Sequence, residues 1–289
     1  MKFDQNVKVL IVGLGLIGGS YASALCKKGY YVGAIDKKKS SIDFAKSHGY
    51  IADGETHVKE DFVKKFDLLI FALYPRDFID WIKNYQSFIK PGALITDVTG
   101  VKTVVVKNVQ EILRDDLEFV GAHPMAGREV SGVENATPNM FSGANFIVTP
   151  SKSNTAENIE AVKELGRVLG FERISTLSPH EHDEIVGFLS HLTHCIAVSL
   201  MVSKKSHHLA EYTGDSFRDL TRIAKINDDM WSELFLANKD ELVKQMDLFE
   251  ENFNKLKEYI KSDDCEKIRE TLRESTARRK VFDKDAKEN

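Results

Sequence analysis

The sequence predicts an α/β domain followed by an all-helical domain. Through the first 178 residues, short apolar runs rich in β-branched residues alternate with helical stretches, which is typical of a parallel sheet covered on both faces. After Pro179 the strand signals end, and apolar residues recur at helical spacing. A chain of 289 residues is long enough for two domains with cores of their own. We therefore predict one domain over residues 1–178 and a second over residues 179–289.

Composition narrows the classes of function. A formal net charge of −4 argues against a general affinity for nucleic acid. The three cysteines, Cys26, Cys195 and Cys265, lie far apart, which favours a reducing compartment over a disulfide framework. The uncharged run from Val9 to Cys26 imitates a signal peptide, but its glycines suit a tight turn better than a membrane segment. We predict a cytoplasmic protein that binds neither nucleic acid nor membrane.

The most informative motif lies where the first strand meets the first helix. The apolar run Val7–Val12 leads into Gly13-x-Gly15-x-x-Gly18, and the second predicted strand ends at Asp36. This is the fingerprint of a Rossmann-type dinucleotide-binding domain in its required context. Gly13 permits the sharp turn and Gly15 lets a pyrophosphate approach the backbone. Gly18 allows the helix to pack against the sheet.

Asp36 favours NAD as the cofactor. Its carboxylate would accept hydrogen bonds from the ribose hydroxyls and would repel the 2′-phosphate of NADP. The three lysines that follow, Lys37–Lys39, could offset that repulsion. The predicted cofactor-binding residues are Gly13, Leu14, Gly15, Leu16, Ile17, Gly18, Asp36 and Leu73.

A histidine is predicted at the end of a later strand, beside the nicotinamide ring. The further apolar runs predicted as strands of the same sheet are Phe66–Leu73, Ala93–Gly100, Leu117–Pro124 and Ala144–Pro150. Ligands bind at the carboxyl ends of parallel strands, where Asp36, Thr99 and His123 would gather. The stretch "GAHPMAG" surrounds His123 with glycines, as suits a side chain that must reach a ligand.

The helical half supplies charged groups. Its candidate residues are His182, His191, His194, Arg218, Asp219 and Arg222. Asp219 and Arg222 share a helix face, and Arg218 with Arg222 would suit a carboxylate. His191 and His194 lack an obvious third metal ligand, so we predict no metal. These groups suit hydride transfer from a carbinol carbon, with a histidine taking the hydroxyl proton and an arginine binding a carboxylate.

The last helices are predicted to form a homodimer interface. Their apolar side chains are too extensive for a lone helix, and they include Leu234, Leu242, Met246, Phe249, Phe253, Leu256 and Ile260. The second domain is therefore predicted to be an all-α helical dimerisation domain. The final segment, 280–289, is predicted to be a solvated tail.

Four motifs in order resemble the prephenate/arogenate dehydrogenases of tyrosine biosynthesis. They are "GLGLIGGS", "GAHPMAG", "GFLSHLTHCIA" and "FRDLTRIAK", and the resemblance runs from about Val7 to Lys280. The chain looks like the monofunctional form, since no chorismate mutase segment precedes the fingerprint and the tail is short. The resemblance implies NAD-dependent oxidative decarboxylation of prephenate to 4-hydroxyphenylpyruvate. Arogenate dehydrogenase, which forms tyrosine directly, is the alternative.

The resemblance also implies roles for individual residues. His123 would receive the proton of the substrate's 4-hydroxyl, and Arg222 would bind a substrate carboxylate. Asp219 would hold Arg222 in place, and His191 would support helix packing. Further positions that match the family's substrate pocket are His182, His194 and Glu129.

The chain departs from the family pattern in two places. Gly100 stands where a serine is common, so the hydroxyl is expected from Thr99 instead. Thr193 replaces a usual proline, which predicts a straighter helix. Two rival functions stay open: a β-hydroxyacid dehydrogenase, which would want a catalytic lysine, and an NAD(H)-sensing regulator, which would carry a basic DNA-reading element.

Overall fold

The computed structural model describes residues 1–205 and 208–282 and divides the chain into two compact units. The first unit is Met1–Lys239, and the second is Asp240–Asn289. The first unit therefore contains both of the sheets described below and the helices between Pro179 and Ala237. The predicted boundary at residue 178 stays a prediction.

A six-stranded parallel sheet forms the centre of the first unit. The strand order is β3-β2-β1-β4-β5-β6, with every neighbouring pair parallel. The strands are β1 (Val9–Val12), β2 (Val32–Ile35), β3 (Asp53–Glu55), β4 (Leu68–Phe71), β5 (Leu94–Asp97) and β6 (Glu118–Phe119). This order confirms the Rossmann-type prediction, although the short strand β3 lacks an apolar pattern in the sequence.

A second sheet corrects the predicted position of His123. Its strands are β7 (Gly121–Met125), β8 (Asn145–Thr149) and β9 (Arg173–Thr176), and β7 pairs antiparallel with β8. The predicted single strand Leu117–Pro124 is therefore two strands of different sheets, and His123 lies within β7 rather than at a carboxyl end. The chain leaves the parallel sheet after Val120, whose N–H still donates to Ile95. Gly121 then approaches β8 so closely that a Cβ would lie 2.6 Å from the Thr149 hydroxyl.

Helices cover both faces of the parallel sheet and continue beyond it. Those of the first unit are α1 (Leu16–Lys27), α2 (Lys39–Ser47), α3 (Glu60–Val63), α4 (Pro75–Tyr85), α5 (Thr103–Ile112), α6 (Ala156–Leu169), α7 (Pro179–Val186), α8 (Thr193–Val202), α9 (Asp215–Thr221) and α10 (Asp228–Ala237). The uncharged run near the N-terminus is β1, the glycine turn and the buried helix α1. The fold class is thus the predicted one, an α/β domain followed by helices.

A π-helical segment, Gly187–Leu192, joins α7 to α8. The backbone widens just before Thr193, whose hydroxyl donates to the Ser190 carbonyl at 2.7 Å, and the straighter helix expected from Thr193 stays a prediction. By length and composition alone, the run Pro179–Val202 is apolar enough to cross a membrane. Its polar side chains His182, Asp183 and His191 are nevertheless buried within the protein.

Helix α10 packs against the parallel-sheet part of the first unit. Asn227 caps the helix by accepting the Met230 N–H, and its amide donates to the Tyr74 hydroxyl at 3.1 Å. Glu233 accepts the N–H of Arg76 in the first turn of α4. This packing fixes a helix of the C-terminal half beside the end of β4.

The second unit consists of helices with exposed apolar faces in the single chain. They are α11 (Lys239–Lys261), which begins at the last residue of the first unit, and α12 (Cys265–Arg279). Met246, Phe249, Phe253 and Ile260 are all exposed. Of the predicted tail, Lys280–Phe282 form a short 3₁₀ turn, and residues 283–289 lie outside the described residues.

Candidate active site

The glycine turn after β1 has the shape that a dinucleotide needs. A Cβ at Gly18 would lie 1.9 Å from the Gly13 carbonyl oxygen, and a Cβ at Gly13 would lie 2.9 Å from a Leu73 methyl group. A Cβ at Gly15 would meet nothing within 4 Å, so the backbone there faces open space. The first turn of α1 has no side-chain cap and no acidic residue, which leaves its N–H groups available to a phosphate.

The neighbours of the turn agree with this geometry. The Asp36 carboxylate accepts the Leu14 N–H at 2.7 Å and the Lys38 N–H at 2.8 Å. Each oxygen keeps a second lone pair for a ribose hydroxyl. Leu14 and Leu16 are buried, and Ile17 is half-buried against the core, so these side chains shape the turn from below. The predicted cofactor residues therefore fit a dinucleotide, and Leu73 borders the turn.

His123 is held by a second histidine. Its Nδ1 lies 2.8 Å from Nε2 of His182, a side chain on α7 that is 0% exposed. The other ring nitrogen, Nε2, lies 3.9 Å from the position that a Cβ of Gly100 would occupy. Methyl groups of Leu234 lie 3.4 and 3.5 Å from the same Cβ position, and no described residue forms a hydrogen bond with this nitrogen.

His182 differs from the prediction that it contacts substrate. Its Nδ1 lies 2.8 Å from the Asp183 carboxylate, so both of its ring nitrogens are occupied by protein groups. The same carboxylate accepts the N–H groups of Lys102 at 2.8 Å and Thr103 at 2.7 Å, which begin α5. An anion at a helix N-terminus is stabilised by these donors and by the helix dipole. His182 thus lies behind His123 rather than beside it in the pocket.

Thr99 also differs from the prediction. Its hydroxyl is buried and donates to the carboxylate of Asp97 and to the Val101 carbonyl. Lys102, fully buried, donates to Asp97 at 2.5 Å and to the Thr99 hydroxyl at 3.1 Å. The other oxygen of Asp97 accepts the N–H of Ala122, the residue before His123. Thr99 therefore belongs to a network that anchors β7, and the proton of its hydroxyl is directed to protein acceptors.

Arg222 pairs with Glu129 and not with Asp219. Its guanidinium donates to the Glu129 carboxylate, joining the 3₁₀ turn after α9 to the loop after β7. No hydrogen bond or ion pair links Asp219 to Arg222 among the residues that the structure describes. Arg218 instead donates to the Thr213 carbonyl at 2.7 Å and pairs with Asp215. The Arg222 side chain is 62% exposed, so it is accessible to a ligand.

The remaining histidines pack against α10. The His194 ring lies against Trp231 with centroids 3.7 Å apart and ring planes tilted by 30°, and its Nδ1 lies 2.8 Å from the Ser190 carbonyl. Buried His191 lies 3.3 Å from the amide of Asn238 and packs edge-on to Trp231. Both rings therefore have well-defined neighbours. For His191, this agrees with the expectation that it supports helix packing.

The environment keeps the histidines neutral and the carboxylates charged. Burial, followed by His182 and Lys102, lowers the pKa of His123 well below its ordinary value. Burial also lowers the pKa of His182, and it lowers that of His191 to about 4. Burial alone would raise the pKa of Asp183, but hydrogen bonds from His182 and Thr103 reverse the effect and lower it. A neutral imidazole at His123 can act as a base.

Several functional neighbours were not predicted. Asp97, Lys102, Asp183 and Trp231 have no local motif, because their partners lie far along the chain. One weak indication existed for Asp183: the capping box of Ser178 and Glu181 starts α7 and places the next residues on its first turns. As for a metal, no group of three potential ligands is assembled within residues 1–205 and 208–282.

A dinucleotide-binding sheet together with a neutral histidine that is held by a buried histidine is typical of a class of protein, the nucleotide-dependent dehydrogenases. Sequence comparison narrows that class. The family described as "Prephenate dehydrogenase, nucleotide-binding domain" matches residues 21–172, and "Prephenate dehydrogenase, dimerization domain" matches residues 178–274. The chain belongs to the prephenate dehydrogenase family.

Individual relatives agree with that assignment. The chain is 31% identical to a cyclohexadienyl dehydrogenase of Zymomonas mobilis, covering 96% of both chains. It is 30% identical to a prephenate dehydrogenase of Bacillus subtilis, over 90% of this chain and 72% of that one. A crystal structure of prephenate dehydrogenase from A. aeolicus with hydroxyphenyl propionate and NAD⁺ has a TM-score of 0.88 at 34% identity, covering 96% of this chain and 98% of that one.

Two glycine substitutions separate cofactor binding from folding. Gly15→Ala should leave thermal stability unchanged but weaken NAD⁺ binding, because its methyl group meets only the space for the ligand. Gly18→Ala should also lower the free energy of unfolding, by roughly 1–3 kcal/mol, because its methyl group collides with the Gly13 carbonyl. Thermal melts and calorimetric NAD⁺ titrations measure both effects. Normal affinity in Gly15→Ala would mean that the pyrophosphate does not cross this backbone.

Acid should destabilise the fold through His191. Its pKa of about 4 lies below its ordinary value, so between pH 6.5 and pH 4 the unfolded chain binds more protons than the folded one. The free energy of unfolding should therefore fall as pH drops through this window, by up to about 1.4 kcal/mol per pH unit for this histidine. His191→Gln should give a shallower slope in denaturant titrations. An unchanged slope would show that His191 is not held neutral.

Proposed function

We propose that this protein catalyses the NAD-dependent oxidative decarboxylation of prephenate to 4-hydroxyphenylpyruvate. The observation that carries the proposal is the neutral, partly exposed His123, whose Nδ1 is held by His182 while no described residue forms a hydrogen bond with its Nε2, in a chain of this family. The nucleotide-binding match, the geometry of the glycine turn and the NAD⁺ bound in the A. aeolicus relative support NAD as the cofactor. When bound, NAD⁺ supplies the acceptor for the hydride that leaves C4 of the substrate.

His123 is proposed as the base of the reaction. Loss of the 4-hydroxyl proton to Nε2 lets the C4 oxygen become a carbonyl as the hydride departs. Loss of CO₂ from C1 then restores the aromatic ring as a phenolate, which takes the proton back from Nε2 to give the phenol. The low pKa of His123 keeps the acceptor nitrogen bare at neutral pH. The buried Lys102, paired with Asp97, is one of the charges that lower the pKa of His123.

Arg222 is proposed to bind a substrate carboxylate. A guanidinium can donate two parallel hydrogen bonds to a carboxylate, and Arg222 is exposed enough to do so. Glu129 holds it in the free protein, and an exposed ion pair of this kind contributes little stability. A substrate carboxylate can therefore replace or share that contact at small cost. His194, within electrostatic range of both Glu129 and Arg222, completes this polar side of the proposed pocket.

Arogenate is the second candidate substrate. It has an amino group in place of the side-chain keto oxygen, and the name of the Z. mobilis relative, cyclohexadienyl dehydrogenase, covers a ring class wider than prephenate. Glu129 is the described anionic side chain beside Arg222, and its pKa is held low by a backbone hydrogen bond and by Arg222. A carboxylate at this position would attract an ammonium group, which is the observation that favours arogenate.

We also propose that the working protein is a cytoplasmic homodimer. The exposed apolar residues of α11 include Val243, Met246 and Phe249, and those at the end of α8 include Leu200 and Met201. The matched dimerization-domain family spans both helices. Burial of such faces against a second copy would also account for the apolar composition of Pro179–Val202.

A spectrophotometric assay of NADH formation tests the proposal. The purified protein should reduce NAD⁺ when prephenate is the substrate. Its kcat/KM for prephenate should exceed that for arogenate, and its kcat/KM for NAD⁺ should exceed that for NADP⁺. His123→Asn can still donate to His182 but offers no basic nitrogen, so we expect normal NAD⁺ affinity and a kcat lower by about 10²–10⁴-fold. Activity should decline on the acid side only below pH 6.5, because the pKa of His123 is lowered.

Two controls sharpen this test. Arg222→Gln should raise KM for the substrate and leave NAD⁺ binding intact. Asp219→Asn should change neither constant, because Asp219 forms no hydrogen bond or ion pair with Arg222 among the described residues. Wild-type turnover by His123→Asn would contradict the proposed base, and a preference for arogenate would replace the proposed substrate.

A further inference from the structure

We propose that His182 and Asp183 are positioning residues for His123: Asp183, His182 and His123 form a hydrogen-bonded relay that keeps the proton of His123 on Nδ1 and its Nε2 bare. The inference deepens the proposed function and rests on it for the role of Nε2. It assigns to His182 a place behind the base instead of a contact with substrate.

The relay begins at a carboxylate that the backbone fixes. Asp183 accepts the N–H groups of Lys102 at 2.8 Å and of Thr103 at 2.7 Å, one on each oxygen. The side chain of Asp183 is only 2% exposed, so water does not compete for these bonds. The amide of Asn238 donates to the main-chain carbonyl of Asp183 at 2.9 Å and fixes the backbone there as well. Neither the position nor the orientation of the carboxylate is free to change.

The order of donors along the relay follows from the chemistry of each group. An ionised carboxylate can only accept, so Nδ1 of His182, 2.8 Å away, must carry a proton. A neutral His182 then has a bare Nε2, which can only accept. Nδ1 of His123 lies 2.8 Å from that nitrogen and must therefore be the donor. Neutral His123 has one ring proton, so its Nε2 is left without one.

The surrounding charges support neutral rings in both histidines. His182 is buried and His123 is partly buried, with the cation of Lys102 within electrostatic range of both rings and His191 within range of His123. Asp183 and Asp97 are the nearby anions, and they act in the opposite direction by raising the pKa of His182. Burial and Lys102 lower the pKa of His182, so that it does not become a second donor toward His123.

The relay also acts after the proton has moved. Once Nε2 of His123 has taken the substrate's hydroxyl proton, the ring is a cation that still donates from Nδ1 to His182. His182 in turn keeps its Nδ1–H on the Asp183 carboxylate. The line of dipoles and the fixed anion stabilise the positive charge without moving any group, as in preorganised electrostatic catalysis.

Nitrogen NMR of the histidine rings tests the relay without substrate. In the ¹⁵N-labelled full-length protein, with His123→Asn used to assign the signal, we expect the neutral His123 ring to be protonated on Nδ1. His182→Leu removes the acceptor, and Asp183→Asn removes the anion, so either should populate the Nε2–H form. His182→Gln offers an oxygen as acceptor and should restore Nδ1–H. His191→Gln, a matched change of a buried histidine, should leave the His123 signal unchanged.

Kinetics supply a second readout. Asp183→Asn and His182→Leu should each lower kcat by about 100-fold or more without raising KM for NAD⁺, and His182→Gln should recover part of the loss. If His182 and Asp183 had a purely structural role, their variants would instead lose stability, and His191→Gln would lose kcat to the same extent. The relay is overturned if wild-type His123 carries its proton on Nε2, or if folded His182→Leu retains wild-type kcat. If the protein does not turn over prephenate but His123 carries its proton on Nδ1 as expected, the proposed function is refuted and the relay is not.

Discussion

The structure depends on one buried carboxylate, that of Asp183, seated on the N-terminus of α5. Through it, α7 is joined to the parallel-sheet part of the first unit, and His182 and then His123 take their orientation. Removing the charge would leave two backbone donors and an imidazole N–H without their acceptor in a dry interior. Such a loss costs about 3–5 kcal/mol when a buried ionic contact is broken, so this contact serves both the fold and the orientation of the base.

A second buried carboxylate, Asp97, complements the first. It pairs with Lys102 and accepts the N–H of Ala122, so it sets the backbone of β7 while Asp183 sets the ring of His123. Lys102 contributes to both contacts, with its ammonium group on one carboxylate and its backbone N–H on the other. The base is thereby fixed from two directions by groups that exclude water, which is what a preorganised site requires. On the solvent side, by contrast, Glu129 and Arg222 form an exposed pair that a ligand can rearrange.

Features formed by residues close together in the sequence could be predicted, and contacts between residues far apart in the sequence could not. Gly13, Gly15, Gly18 and Asp36 lie within one strand-turn-helix-strand unit, so their spacing alone defines their geometry. The placement of His123 in β7 depends on antiparallel pairing with β8, which an apolar run cannot reveal. The contacts of Asp183 with Lys102 and of Glu129 with Arg222 span 81 and 93 residues. Asp219 was expected beside Arg222 because helical spacing permits it, but the helix ends at Thr221 and the guanidinium turns to Glu129.

A crystal structure with NAD⁺ and a hydroxyphenyl ligand bearing a carboxylate would test the central claim most directly. The account predicts the ligand hydroxyl at about 2.6–3.0 Å from Nε2 of His123, with the ligand carboxylate on Arg222 and the contact between His123 and His182 retained. A ligand whose hydroxyl lies far from Nε2, or a His123 ring that has turned away from His182 to meet it, would contradict the account.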